Sequence, residues 1–507
     1  MATLYDLSVS LRSDSMETME LDFTRVSHEE SARLMAKRHG VRVSLFPEGS
    51  FFSQERVRLR THVGTHLDAP IHFYPTTEGK PAKTIDEVPL EWCMGNAVVL
   101  DLRHKQPTEP ITEYDIATEF ERIGYQAGAG DIVLTMTGGT DHYDDDPGFG
   151  ESAAGMNGGA LNYLFRLGVR IMGTDSHTMD MPIPLMTERL LQGDKAAYFP
   201  IHRAGKLTEW THAEKLAHLD QLPQANGLKV FLLPVKVTGG TGSWIRAVAI
   251  NDPWLDSVQL VDLSLPIMNQ SFETEASQVV TIPRDQAMRV KARRLGLSVA
   301  EVLHAGATDD VETSTLAGTH IEAPYHFGPL CEGRPSTTVD RMPLDWFYGD
   351  AVLIDLANDK QPGDWISTAD LQTRMDAMGY RLKPGDIVLI RTGSSRAFYD
   401  DPGFANLAPR LERGALDWLL DQGVRVIGSD CENIDGPVHA MFESLGHGDQ
   451  ASFFPVHYAG RQREFCLIAK MNLDNLTHSH GFKVAAFPIK LEGCAAAWTR
   501  AVALVKD

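Results

Sequence analysis

The sequence predicts a mixed α/β protein in which one domain is repeated in tandem. Three observations carry that reading. The two halves repeat each other from end to end at a nearly constant offset. Short apolar runs, in part β-branched, read as buried strands. Between them, apolar pairs at helical spacing stop at glycines.

The elements follow in order. Tyr5-Asp6-Leu7-Ser8 opens the first copy as a strand, and Ala97-Val98-Val99-Leu100-Asp101-Leu102 and Ile132-Val133-Leu134 are buried-strand runs. Ala160-Leu161 with Leu164 and Phe165 marks a helix, Gly168 stops it, and Val169-Arg170-Ile171-Met172 is the next strand. Arg246-Ala247-Val248-Ala249 closes the copy. The second copy repeats the plan with Val261-Asp262-Leu263-Ser264 at its start, Ala415-Leu416, Leu419-Leu420 and Gly423 in its helix, and Arg500-Ala501-Val502-Ala503 at its end. The offset is 254 residues from His66 to His320 and 255 from His202 to His457, far beyond the repeat of a solenoid. The boundary falls near Asn251–Ser257, which gives domains at 1–252 and 258–507. Strands outnumber clear helices, which argues against a strictly alternating βα barrel.

A formal charge of −21 argues against a nucleic-acid partner and against docking on an anionic membrane. Five cysteines, widely spaced and without a Cys-x-x-Cys pair, fit neither a disulfide framework nor a thiolate zinc site. The start, Met1-Ala2-Thr3-Leu4-Tyr5-Asp6, lacks the features of a signal peptide, and no apolar run approaches the ~20 residues of a membrane span. The expectation is a soluble, cytoplasmic protein acting on a small molecule.

The chemistry concentrates in Thr61-His62-Val63-Gly64-Thr65-His66-Leu67-Asp68-Ala69-Pro70-Ile71-His72-Phe73. Pro70 biases Ala69 away from helix. In an extended segment residues two apart share a face, so His66 and Asp68 point at one ion while a turn at Gly64 brings His62 round. Two imidazoles and a carboxylate suit zinc, manganese or iron(II) and leave coordination positions open. There is no Gly-x-Ser-x-Gly elbow, no His-Glu-x-x-His and no glycine-rich nucleotide loop.

The run His62 to His72 resembles the HxGTHxDxPxH signature of the cyclase superfamily, which includes bacterial kynurenine formamidase and isatin hydrolase. The resemblance spans essentially the whole chain as two copies and implies the family's swivelling β/β/α domain, twice. It implies that His62, His66 and Asp68 bind a divalent metal, zinc or manganese, and that His72 is a catalytic acid or base. It further implies a second ion held by Asp68 with His202 and Glu214, or Glu214 acting as base instead. The reaction implied is attack of metal-activated water on the carbonyl of a small amide, cyclic amide or lactone, with His72 moving the proton. An inactive ligand-binding protein and a true cyclase or dehydratase are the alternatives. Asp175 and Asp180 recur as Asp430 and Asp435 and either shape the site or cap strand ends.

In the second copy Leu316 replaces the first histidine and Glu322 the aspartate, while His320, His326 and His457 survive. Phe465-Cys466-Leu467-Ile468-Ala469-Lys470-Met471-Asn472 supplies no counterpart of Glu214. The expected role of this copy is structural: an internal partner in an intramolecular pseudo-dimer, with further homo-oligomerisation open. Ser44-Leu45-Phe46-Pro47-Glu48-Gly49-Ser50-Phe51-Phe52 is a candidate specificity loop whose aromatics either cover a planar substrate or pack.

Overall fold

The computed structural model describes residues 2–17, 21–274 and 276–506. The chain forms two compact units, each assembled from three segments. One comprises residues 1–21, 59–256 and 279–311; the other comprises 22–58, 257–278 and 312–507. Each sequence copy therefore contributes one internal segment to the unit built mainly from the other.

The first unit is organised on a nine-stranded mixed sheet. Its strands run in the order Thr3–Asp6, Val248–Asn251, Leu228–Phe231, Met94–Asp101, Asp131–Met136, Ile171–Thr174, Thr211–Glu214, His66–Asp68, Gly242–Trp244. The four from Met94–Asp101 to Thr211–Glu214 are parallel to one another, and the remaining pairings are antiparallel. The opening and closing strands of the copy are neighbours, Tyr5 standing opposite Ala249. The helix predicted around Ala160–Phe165 forms, and others form beside it. Gly158–Arg166 starts on an Asn157 side chain that accepts from the Ala160 amide and buries Ala160, Leu161 and Leu164. Glu113–Arg122 starts on a Thr112–Asp115 capping box and buries Ile116 and Phe120. Both helices pack on Val98, Leu100, Val133 and Met172, one face of the parallel strands. Thr211–Glu214 and His66–Asp68 are buried throughout, and they carry the functional side chains.

The second unit has a sheet of the same order, from Val258–Asp262 through the parallel strands Tyr348–Asp355, Ile387–Arg391, Val426–Ser429 and Cys466–Ala469 to His320–Glu322 and Ala496–Trp498. Identical strand order in both units is the structural form of the duplication. The aromatics of residues 44–52 pack here: Phe46, Phe51 and Phe52 join Met441, Phe442, Leu445, Phe453 and Phe454 in a buried cluster. All five cysteines are buried, and none forms a disulfide among the described residues. Among the described residues no helix is long and apolar enough to cross a membrane.

Candidate metal centre

The centre of the first unit is built from two adjacent antiparallel strands. His66 and Asp68 share a face of the short strand His66–Asp68, with Leu67 turned into the core. Glu214 stands directly opposite His66, and continuing the register sets His212 opposite Asp68. Gly64, at φ 61°, makes the turn that leads from His62 into the strand. His62 Nδ1 thereby lies 2.7 Å from Asp68 Oδ1, and its Nε2 is 3.1 Å from the Thr241 hydroxyl. That hydroxyl donates to Asp309 at 2.6 Å, so a buried carboxylate anchors the back of the His62 ring.

The remaining side chains converge on the two carboxylates. His66 Nε2 is 3.3 Å from Asp68 and 3.6 Å from Glu214. His212 Nε2 is 3.3 Å from Asp68 and 2.9 Å from Glu214. His202 and His72 approach Asp68 Oδ2 at 3.7 and 3.6 Å. These residues are at most 8% exposed. The ligand atoms fall into two groups that share Asp68, one with His202, His212 and Glu214, the other with His62 and His72.

Every sequence-predicted residue, His62, His66, Asp68, His72, His202 and Glu214, lies in this one cluster. His212 joins it as well, although sequence reasoning passed over it. It sits two residues before Glu214 on a strand, hence on the same face. Glu214 itself ends that strand, at 6% exposure. The two aspartates separate cleanly. Asp180 accepts from His202 Nδ1 at 2.6 Å and from the Ile201 amide at 2.8 Å, which orients the ring. Asp175 instead binds the Thr137 and Gly138 amides, both at 2.8 Å, and so caps a strand end away from the carboxylates.

Residues 279–311 complete the wall. His72 Nδ1 is 2.6 Å from the Ala307 carbonyl. A carbonyl only accepts, so Nδ1 carries the hydrogen and Nε2 presents its lone pair to the site. His304 is 1% exposed, with its ring centre 5.4 Å from that of His202 and 6.4 Å from that of His72. Neither His304 nitrogen has a hydrogen-bond partner among the described residues. His72, His304 and His177 line a cavity of about 170 Å³ with His62, Asp68, His202 and Glu214.

The electrostatics follow from burial and crowding. Burial pushes the His72 imidazole down to about 3; Asp68 acts against that fall and His62 adds to it. Burial also lowers the affinity of His202 for a proton, but hydrogen bonds to Asp180 and Asp68 outweigh it and carry the ring up to about 10. Burial alone would raise the Asp68 carboxyl, yet His72 and His62 hold it well below the carboxylate range. Glu214 is likewise depressed to about 2: burial and Asp68 act upward, and His212 and His66 outweigh them. Burial, with His202 and His72 beside it, holds His304 well below the ordinary imidazole range.

His66 Nε2 and Asp68 Oδ2 are buried and lack any hydrogen-bond partner among the described residues. Leaving such atoms unsatisfied costs about 1–3 kcal/mol each. A histidine- and carboxylate-rich donor set of this kind, converging on shared oxygens, fits a divalent cation.

The second unit retains part of this arrangement. His320, His326 and His457 approach Glu322 at 3.5, 3.9 and 3.2 Å, and Asp435 holds His457 Nδ1 at 2.5 Å. Leu316 stands in place of His62, and Ala469, opposite His320, stands in place of Glu214. At the 254-residue offset Phe52 takes the place of Gly306. Its ring centre lies 4.8 Å from that of His457 and 5.6 Å from that of His326. In the first unit the equivalent approach is glycine: a Cβ at position 306 would fall 2.1 Å from His72 Cε1. Glycine thus leaves the first-unit histidines uncovered at this position, whereas Phe52 stands beside those of the second unit, where His320, Glu322, His326 and His457 still line a cavity of about 340 Å³.

A family model described as putative cyclase matches residues 5–181 and 261–436. An isatin hydrolase of Roseibium aggregatum is 28% identical over 211 residues, which are 40% of this chain and 76% of that protein. A kynurenine formamidase of Salinibacter ruber is 28% identical over 198 residues, 39% of this chain and 79% of that protein. Among solved structures, an isatin hydrolase bound to the product analogue thioisatinate aligns at 19% identity over 50% of this chain and 94% of that one, with a TM-score of 0.38.

Proposed function

The chain belongs to the putative cyclase family, whose domain it carries twice, and on that premise we propose that it is a metal-dependent hydrolase of a small amide, cyclic amide or lactone. The single observation that carries this reading is the convergence of His62, His66, His202, His212 and Glu214 on Asp68 within one buried cluster. The names of the relatives, an isatin hydrolase and kynurenine formamidases, support hydrolysis of a carbon–nitrogen bond. Zinc or manganese suits the donor set, as one ion or as two sharing Asp68.

A divalent cation held by His62, His66, Asp68, His202, His212 and Glu214 would lower the pKa of water toward ~7 and polarise a carbonyl oxygen. The protein's own groups divide the remaining work. His72 takes up a proton at Nε2, because Nδ1 is committed to the Ala307 carbonyl, and delivers it to the departing nitrogen or oxygen. Asp180 fixes the tautomer and direction of His202, and Asp309 acts through Thr241 to do the same for His62. Glu214 either completes the ligand set or accepts a proton from the attacking water. The buried walls limit water to the cavity, which strengthens each of these interactions.

We further propose that catalysis belongs to the first unit and that the second copy serves as its internal partner. The reading is supported by Ala307 and His304, which come from the second copy yet line the first centre. Phe52 over His326 and His457 supports the other half of it. The test is metal analysis of the purified protein combined with a panel of formamides, cyclic amides and lactones. One or two ions per chain, with turnover lost in His66→Ala, supports the reading. Absence of both metal and turnover would point to a binding protein instead.

A further inference from the structure

Beside the metal cavity lies a larger one of about 470 Å³, and the two share Phe199, Gly306 and Thr308 as lining. Its far wall is the helix Arg284–Leu295 of the second copy. That helix carries Arg284, Arg289, Lys291, Arg293 and Arg294 against the single acid Asp285, in a chain of net charge −21. Most nearby cations are committed. Arg60 pairs with Asp310 at 2.8 Å, Arg289 pairs with Asp285 at 2.6 Å, and Arg284 donates to the Leu303 carbonyl at 2.9 Å while lying over the Tyr74 ring.

Arg294 also lines the cavity without an ion pair among the described residues but is exposed, which sets apart Lys291. Lys291 is half-buried and lines the cavity, and no carboxylate lies within 4 Å of its ammonium among the described residues. Its Nζ lies over two aromatic faces instead, 5.3 Å from the Tyr198 ring centre and 4.8 Å from that of Phe199. Phe199 is in turn 5.4 Å from the His202 ring centre, which bounds the ammonium-to-imidazole separation at about 10 Å. Val290 and Leu295 supply apolar surface around it. Burial, with Arg294 close by, pushes the Lys291 ammonium down to about 8, so it is still mostly charged at pH 7.

We propose that this chamber selects an anionic substrate, Lys291 binding a carboxylate carried on an apolar body within about 10 Å of the scissile carbonyl. The inference rests on the hydrolase reading for the word substrate, and on the chamber alone for the anion. A half-buried cation without a counter-ion gains a partner, and the apolar wall covers the body between the two polar ends. The residue comes from the second copy, which gives the duplication a role in specificity.

The probes are 4-formamidobenzoate and its neutral analogue 4-formamidotoluene, titrated calorimetrically at pH 7 into the full-length holoprotein. The wild type is expected to bind the acid about 10–100-fold more tightly, the range of one charge-assisted hydrogen bond. Lys291→Met should erase that preference and Lys291→Arg should keep most of it, with melting curves recorded for both. An acid preference that survives in Lys291→Met overturns the proposal, as does a wild type with no preference. Should Lys291→Met melt early, Lys291→Gln provides the same comparison. Turnover of the two probes in the same preparations is read separately. Lys291-dependent binding without turnover removes the hydrolase reading and leaves the anion chamber. Turnover without Lys291-dependent selectivity does the reverse.

Discussion

Replacing Gly306 with alanine should disable the first centre by moving one imidazole. The added methyl would lie 2.1 Å from His72 Cε1, 2.3 Å from Nε2 and 2.8 Å from Nδ1. Carbon atoms settle at about 3.5–4.0 Å, so ring or backbone must move by more than ~1 Å. The ring has little room to do so, because its Nδ1 is held at 2.6 Å by the carbonyl of the very next residue, Ala307. Gly306 does not occupy the left-handed region, so the backbone accepts alanine and the effect is steric. Displacing a catalytic group by 1 Å costs ~10²-fold in rate, equivalent to about 2.7 kcal/mol of transition-state stabilisation. The assay is kcat/KM on the best substrate of the panel, with circular dichroism and metal content as controls. The expected result is a ~100-fold fall with fold and metal retained. In a His72→Ala background the same change should cost less than about threefold, since the ring it displaces is absent. Activity of Gly306→Ala within twofold of wild type would refute the steric argument and the role of His72 with it.

Two further substitutions probe the ligand shell. Asp180→Ala frees His202 Nδ1 and should weaken metal binding about 10–100-fold, read by competition with a chromophoric chelator; an unchanged affinity would leave His202 outside the ligand set. His212→Ala should lower metal content or affinity as His66→Ala does, because its Nε2 lies within 3.3 Å of both Asp68 and Glu214; full metal content by elemental analysis would reduce His212 to a buried packing residue.

Much of the fold is visible in the sequence because its signals are local and doubled. The apolar runs around Val98 and Val133 lie in central parallel strands buried on both faces, and strands in that position read as continuous hydrophobic stretches. The capped helices carry their own start signals at Thr112 and Asn157. The allocation of residues 22–58 and 279–311 to units built mainly from the opposite copy has no local signal. Both segments look alike in the two copies, so the repeat itself is silent about which unit each one joins.

The centre shows the same division. His62, His66, Asp68 and His72 stand out because four potential ligands crowd into eleven residues. His212 was hidden by its setting, Trp210-Thr211-His212-Ala213-Glu214, and only the alternation with Glu214 on a strand marks it. His304 and Gly306 lie more than 230 residues from the motif, and only the comparison of Gly306 with Phe52 at the repeat offset points to them. The aromatics Phe46, Phe51 and Phe52 pack in one buried cluster of the second unit, and Phe51 and Phe52 also line the cavity at His320, His326 and His457.

The measurement that bears most directly on the central claim is a comparison of His66→Ala with His320→Ala, the same position in the two copies. Turnover and metal content are recorded for each full-length variant alongside its melting curve. A single catalytic centre in the first unit predicts that His66→Ala loses turnover by at least ~10³-fold while His320→Ala keeps it within about threefold, provided both remain folded. Equal losses in the two variants, or retention of turnover in His66→Ala, would contradict the account.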